Sequence, residues 1–124
     1  MNLEINGKTI EVKFTIGAIR ELDKRYQIEN GAAKFGMGIS SAMIYLRQYN
    51  PVILVDIMEA LQSGQLKIGK SEIEAWLMTQ DVKKLSDDLL KEMGKQPLTK
   101  PMIDQFSKEA KKAEAQATKI GRAH

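Results

Sequence analysis

The chain has 124 residues, 43% hydrophobic and 28% charged, a composition that fits one globular domain with a real core and excludes a disordered chain. It contains no cysteine, which rules out disulfide scaffolds, thiolate metal sites and cysteine nucleophiles and accords with a reducing cytoplasm. The net charge of +3 is too small to mark the whole domain as nucleic-acid binding, and it is carried by Lys108, Lys111, Lys112, Lys119 and Arg122 against Glu109 and Glu114, so the basic character belongs to residues 108–124.

Residues 1–14 read as a β-hairpin. Leu3 and Ile5 alternate with polar residues, Asn6-Gly7 supplies the two positive-φ positions of a type I′ turn, and Ile10, Val12 and Phe14 resume the alternation. Pairing across that turn sets Ile5 opposite Lys8, Leu3 opposite Ile10 and Met1 opposite Val12, with the apolar side chains on one face. A lone hairpin is marginal, so this one must lie on helices or join strands of another chain. Thr15 is a fitting cap for a helix to about Gln27, with Ile16, Ile19, Leu22 and Tyr26 at helical spacing and Glu21–Arg25 as an i,i+4 ion pair on its outer face. Asn30-Gly31 ends this unit, and Phe35 to Gly38 reads as a turn with two glycines. A second helix follows to about Tyr49 with Ile39, Met43, Leu46 and Ile44 inward.

Asn50-Pro51 is an N-cap followed by proline at the first helical position, where its missing N–H has no partner to lose. The third helix has Leu54, Ile57, Met58 and Leu61 as its apolar stripe and closes at Ser63-Gly64. After a short connection, Ser71 and Glu74 have capping-box spacing ahead of Ile73, Trp76 and Leu77. Asp81 starts another helix with Val82, Leu85, Leu89 and Met93 inward and Gly94 as its stop. Pro97 and Pro101 bracket a break before a last helix from Lys100 to Thr118. There Met102, Phe106 and Ala110 recur every fourth residue, and beyond Phe106 the inward positions are Ala110, Ala113 and Ala117. That end has little area to bury, so it is expected to fray or to need a partner. The pattern is mainly α with a small N-terminal β-hairpin, an α+β domain of about five to six helices over residues 1–107, with 108–124 as a basic helix end or tail.

Little in the chain supports catalysis. His124 is the sole histidine and sits at a position where no buried proton transfer is expected; no His–carboxylate metal cluster can be assembled around it. Asp87-Asp88 and Glu72/Glu74 lack the glycine-containing loop of a cation site and read as solvated helix faces. The glycines of Gly31–Gly38 fit neither the phosphate-loop nor the dinucleotide spacing and read as a tight link between packed helices. No enzymatic activity, cofactor or metal is expected. Of the seven methionines, Met37, Met43, Met58, Met78, Met93 and Met102 suit either core filling or an adaptable binding surface, with core filling favoured. Tyr45, Tyr49 and Trp76 are the candidate partner-binding residues, being large and amphipathic. Lys111 and Lys112 in the basic tail join them. That tail reads first as a solvated helix end and second as a partner-binding extension. It has no interleaved aromatics on which single strands would stack, and no helix pair shows a helix-turn-helix pattern. Neither nucleic acid nor membrane is expected as a partner, since no apolar run approaches the ~18 residues of a span and the N-terminus lacks a basic region followed by an apolar one. A soluble, unexported protein is the expectation.

In the order of its parts the chain resembles the tail assembly chaperones of long-tailed bacteriophages or prophages of Gram-positive bacteria. The resemblance is carried by Glu21-Leu-Asp-Lys-Arg-Tyr26 closing a first helix, Lys34-Phe-Gly-Met-Gly38 before a small-residue helix start, the apolar helix from Asn50 to Ala60, and the Pro97-Leu-Thr-Lys100 break. It implies a non-enzymatic protein of the host cytoplasm, absent from the finished virion. Such a protein associates with the tape measure protein, keeps it from aggregating and helps recruit the tail tube protein. It also implies the short form of a protein often made in two lengths by ribosomal frameshifting. The unpaired hairpin edge and the weakly buried last helix add an expectation of self-association, open-ended rather than a closed dimer. A structural head–tail or tail-completion protein retained in the virion is the alternative. A small DNA-binding regulator is a weaker one, because residues 1–107 are close to neutral.

Overall fold

Asn6 and Gly7 take φ values of 51° and 79°, the left-handed pair that a type I′ turn requires, and they join β1 (Asn2–Ile5) to β2 (Lys8–Glu11) in the expected register, Leu3 opposite Ile10 and Ile5 opposite Lys8. The structure is a computed structural model that describes residues 1–65 and 67–122, with side chains described for all of these except Ala110 and residues 114–122. After the hairpin come α1 (Ile16–Arg25), β3 (Gln27–Asn30), β4 (Ala33–Gly36), α2 (Gly38–Arg47), α3 (Pro51–Leu61), α4 (Lys70–Leu77), α5 (Val82–Met93) and α6 (Lys100–Arg122). Six helices and two separate two-stranded antiparallel hairpins among the described residues make a mainly α fold of the α+β class. The second hairpin was not foreseen: Asn30-Gly31 turns a strand rather than ending a unit, and Phe35 and Gly36 lie in β4 rather than in a turn.

The core is organised around α3. Asn50 Oδ1 accepts from the Val52 N–H at 3.0 Å and Pro51 occupies the first turn, so the helix starts where the sequence indicates. Ile53, Leu54, Val55, Ile57, Met58 and Ala60 are all buried. That is far more than a single stripe, because α1, α2, α4 and β2 all pack against this helix. Leu61 is only half-buried. The first hairpin closes the same core with Leu3, Ile5, Ile10, Val12 and Phe14.

Two glutamine side chains fasten the irregular segments. Gln62, just past α3, accepts from the N–H groups of Lys67 and Ile68 at 3.0 and 2.9 Å and donates to the carbonyls of Met58 and Ile68. This sets the fully buried Ile68 and starts α4 at Lys70 with Gly69 as its cap. Ser71 therefore lies inside the helix, and the capping box expected from Ser71 and Glu74 does not form. Gln96 accepts from the Phe14 N–H and donates to the Val12 carbonyl, each at 2.7 Å, tying the exit of β2 to the α5–α6 connection. Thr99, also buried, donates to the Met93 carbonyl at 2.6 Å.

Several side chains depart from the helical-stripe reading. Ile16 is 56% exposed and Ala18 is buried in its place; Ile44 is exposed while Ala42 is buried; Met102 is exposed while Ile103 packs on the core. Arg25 does not pair with Glu21. It reaches α3, at 3.2 Å from both Asp56 and Glu59, while Glu21 pairs with Lys24. Two carboxylates on a neighbouring helix hold the guanidinium better than one exposed partner on its own helix. Tyr26 also donates to Asp56 and stands edge-on to Tyr45, with ring centroids 5.9 Å apart. Burial first, and the Asp56 hydrogen bond second, push the Tyr26 phenol well above its ordinary range. Ala110, Ala117 and His124 lie outside the residues whose side chains are described.

Two expectations follow from this packing. A Cβ at Gly38 would sit 2.6 Å from the Leu22 carbonyl carbon, the Leu22 Cβ and the Asp23 nitrogen, so Gly38→Ala should destabilise the chain by about 2–3 kcal/mol. Gly94→Ala, with only 3.5 and 3.6 Å contacts and φ of −73°, should be neutral or stabilising by a few tenths of a kcal/mol; denaturant titrations of the two variants check the contrast. The phenol of Tyr26 ionises more readily in the unfolded chain than in the fold, so its contribution is complete below pH 10, its ordinary value, and declines as pH rises above that. Stability measured from pH 8 to 11.5 should bend downward above about pH 10, and Tyr26→Phe should flatten that bend while lowering stability at pH 8 by about 1.5 kcal/mol.

Candidate functional site

Two exposed apolar surfaces stand out. The first is a depression of about 330 Å³ where α3 begins, α4 ends and α5 begins, lined by Pro51, Val52, Val55, Leu77, Met78 and Val82 with Glu74 as its one charged wall. Leu77 is the last residue of α4, and the chain turns there as the Thr79 hydroxyl and N–H both reach the Trp76 carbonyl, at 2.7 and 3.0 Å. That turn throws Met78 outward to 87% exposure, beside Val52 at 60%. An unbranched thioether standing free above an apolar floor can adapt to differing partners.

Tyr49 stands at the corner between α2 and α3, two residues before Pro51. The Tyr49 N–H donates to Leu46 and the Asn50 N–H to Tyr45, at 3.1 and 3.0 Å, the two bonds of a Schellman ending for α2. Its left-handed residue is normally glycine, yet here Tyr49 holds φ of 55°. A tyrosine at that position is strained by about 1 kcal/mol. The residue is 40% exposed, with the Lys83 ammonium 5.9 Å from its ring centroid.

The second surface is the β3–β4 hairpin, every residue of which is exposed. Gly31 has φ of 65° while Ala32 does not share the positive sign, the pattern of a type II′ turn with glycine first. The base is fixed: the Met37 N–H donates to the Tyr26 carbonyl, and Asp23 Oδ1 accepts from the Gly38 N–H at 2.9 Å. Gly36 lies against Asp23, where a Cβ would come within 2.5 Å of the carboxylate side chain. By alternation the opposite face carries the cross-strand pair Ile28 and Phe35, 54% and 53% exposed.

The residues singled out from the sequence do not converge. Tyr45 is half-buried against Tyr26. Trp76 is half-buried and lines a separate depression of about 190 Å³ with Met1, Leu3, Lys84 and Asp88. Lys111 and Lys112 are exposed on α6, beyond the point where Arg47 stacks 5.5 Å from the Phe106 ring and fastens that helix to α2. Tyr49 is the one exposed residue among the three aromatic candidates, and it does not line the Met78 depression. Met43, Met58 and Met93 fill the core, and Met78 does not. Sequence reasoning missed Val52, Ile28 and Phe35. A signal for the last two was present in Asn30-Gly31 lying between them.

Electrostatically the described residues are paired rather than poised. Glu72 accepts from Asn6 and Lys8 at 3.0 and 3.3 Å, and these hydrogen bonds, Asn6 first, hold its carboxyl below the usual range. Asp88 meets Lys84 at 2.8 Å. Among the described residues no three His, Cys, Asp or Glu side chains are grouped to hold a metal ion, and no helix is long and apolar enough to cross a membrane.

No curated protein and no solved structure significantly matches the chain. A family described as phage tail assembly chaperone protein, TAC, matches residues 2–108, from the first strand into α6. With that match spanning both hairpins, all of α1 to α5 and the anchored start of α6, the chain belongs to the phage tail assembly chaperone family.

Proposed function

We propose that this protein is the short form of a tail assembly chaperone that holds the tape measure protein soluble in the host cytoplasm, helps recruit the tail tube protein and is absent from the finished virion. The observation that carries the reading is the apolar depression beside Met78 and Val52. An apolar floor with one exposed thioether and a single charged wall suits the apolar face of a helical client, read through contacts at i, i+3 and i+4. It offers no preorganised polar groups of the sort that orient a small substrate, so the role is binding rather than catalysis. The strained Tyr49 fits the same reading, since strain at a corner persists where its side chain serves a purpose beyond folding.

Residues 1–107 form the chaperone domain on this reading, and 108–124 a basic extension whose Lys111 and Lys112 supplement client binding. Each copy offers a small, weak site. A long client is held by many copies whose sites act together through effective concentration, which makes self-association part of the function.

Co-expression with the tape measure protein encoded alongside tests the proposal. The wild-type chain should keep that client soluble in a multi-copy complex, and Met78→Glu or Val52→Glu should weaken capture by at least about tenfold, the scale of burying one apolar side chain, while far-UV circular dichroism stays unchanged. Tyr49→Gly should raise thermal stability slightly and still weaken capture. Folded charge variants that keep the client fully soluble would overturn the assignment of this surface.

A further inference from the structure

We propose that the β3–β4 hairpin joins a second copy of this chain head to tail, the β4 edge of one copy pairing antiparallel with the β3 edge of the next. The inference deepens the self-association in the proposed function and rests on that part of it.

The register determines which backbone groups are free. The Met37 N–H donates to the Tyr26 carbonyl, while the Tyr26 N–H closes α1 on Leu22. That single bond sets the phase, and because antiparallel strands alternate, Ile28 with Phe35 and Asn30 with Ala33 are the bonded pairs across the hairpin. The N–H and C=O groups of Glu29 then point off one edge, and those of Lys34 off the other. Both side chains are open, with the Glu29–Lys34 contact at 3.9 Å and 70% and 66% exposure. One edge is thus marked by an anion and the other by a cation.

A second hairpin laid beside the first in the same sense places its Glu29 opposite Lys34 as a bonded pair. It also sets its Ile28 beside Phe35 in the adjacent non-bonded pair, where cross-strand side chains come closest. The apolar row continues on the face turned away from Asp23, and the charged row on the other. Two-fold pairing of like edges has no such match: it sets lysine near lysine on β4, or glutamate near glutamate on β3. Head-to-tail addition leaves a free edge at each end, and strand twist turns successive copies in one direction, so the product is a ring or helical array rather than a closed dimer.

Sedimentation velocity of the full chain without client, over a concentration series, tests the pairing. The wild type should form species larger than a dimer that grow with concentration. Lys34→Glu and Glu29→Lys should each require about tenfold more protein to associate. An equimolar mixture of the two variants should regain association, because each edge then meets its opposite. The doubly reversed Glu29→Lys/Lys34→Glu chain should associate by itself. The mixture is decisive, since the contact inside each hairpin stays like-charged there and only the contact between copies is restored. A wild type that remains monomeric, association that stops at a dimer, reversals that associate like the wild type, or a mixture that stays apart would each overturn the inference. The two assays fail separately. A chain that assembles through its hairpin yet leaves the tape measure protein insoluble overturns the client surface alone, and a client captured by a Lys34→Glu chain that no longer assembles leaves the hairpin pairing standing.

Discussion

The structure depends on covering α3. A helix with six buried residues spread over most of its circumference cannot lie on the surface of a small domain, so the remaining elements are arranged to enclose it. Its polar stripe is brief, Asp56 and Glu59, and even this is capped by Arg25 and Tyr26 from the end of α1. The enclosure ends only at the first turn, where Pro51 and Val52 emerge. The candidate client surface lies there, a continuation of the core to the outside rather than a separately built pocket.

That same ion cluster links core to periphery. Tyr26 is the last residue before β3: its phenol donates to Asp56, and its backbone carbonyl accepts from the Met37 N–H at the base of the hairpin. The strands project from a junction fixed on both sides, by Asp23 to the start of α2 and by Tyr26 to α3. An exposed hairpin with little packing of its own is marginal; here its geometry is inherited from the helices it joins.

How much of this was legible depends on where each residue's partners lie. The first hairpin was readable to its register because Asn6-Gly7 is flanked by alternating apolar residues that must all face one core. The Thr15, Asn50 and Asp81 caps were readable because capping is local. The second hairpin was not: Gln27, Glu29, Asn30, Ala33, Lys34 and Gly36 have low strand preference, and with no face buried there is no alternation to detect. Arg25 chose Asp56 and Glu59, more than thirty positions away, over a partner one helical turn back, and nothing in a helical wheel reports that. Tyr49 was found by its size and amphipathic character, whereas Met78 suited either core filling or a binding surface, with core filling favoured, because the turn after α4 that exposes it leaves no mark in the helical spacing. The family resemblance, resting on the order of parts, reached what no single side chain disclosed.

The Gln96 clamp has a consequence for the chain as it is made. The backbone of Val12 and Phe14 is satisfied by a side chain more than eighty residues downstream. During synthesis the first hairpin therefore emerges with its apolar face ready but its exit strand unfastened, and it stays so until the α5–α6 connection has left the ribosome. Over that interval the N-terminal part of the core is closed by contact alone, without the two hydrogen bonds that fix its edge. The N-terminal edge of the core is thus latched only when the last quarter of the sequence arrives, by one side chain that satisfies backbone groups laid down at the start.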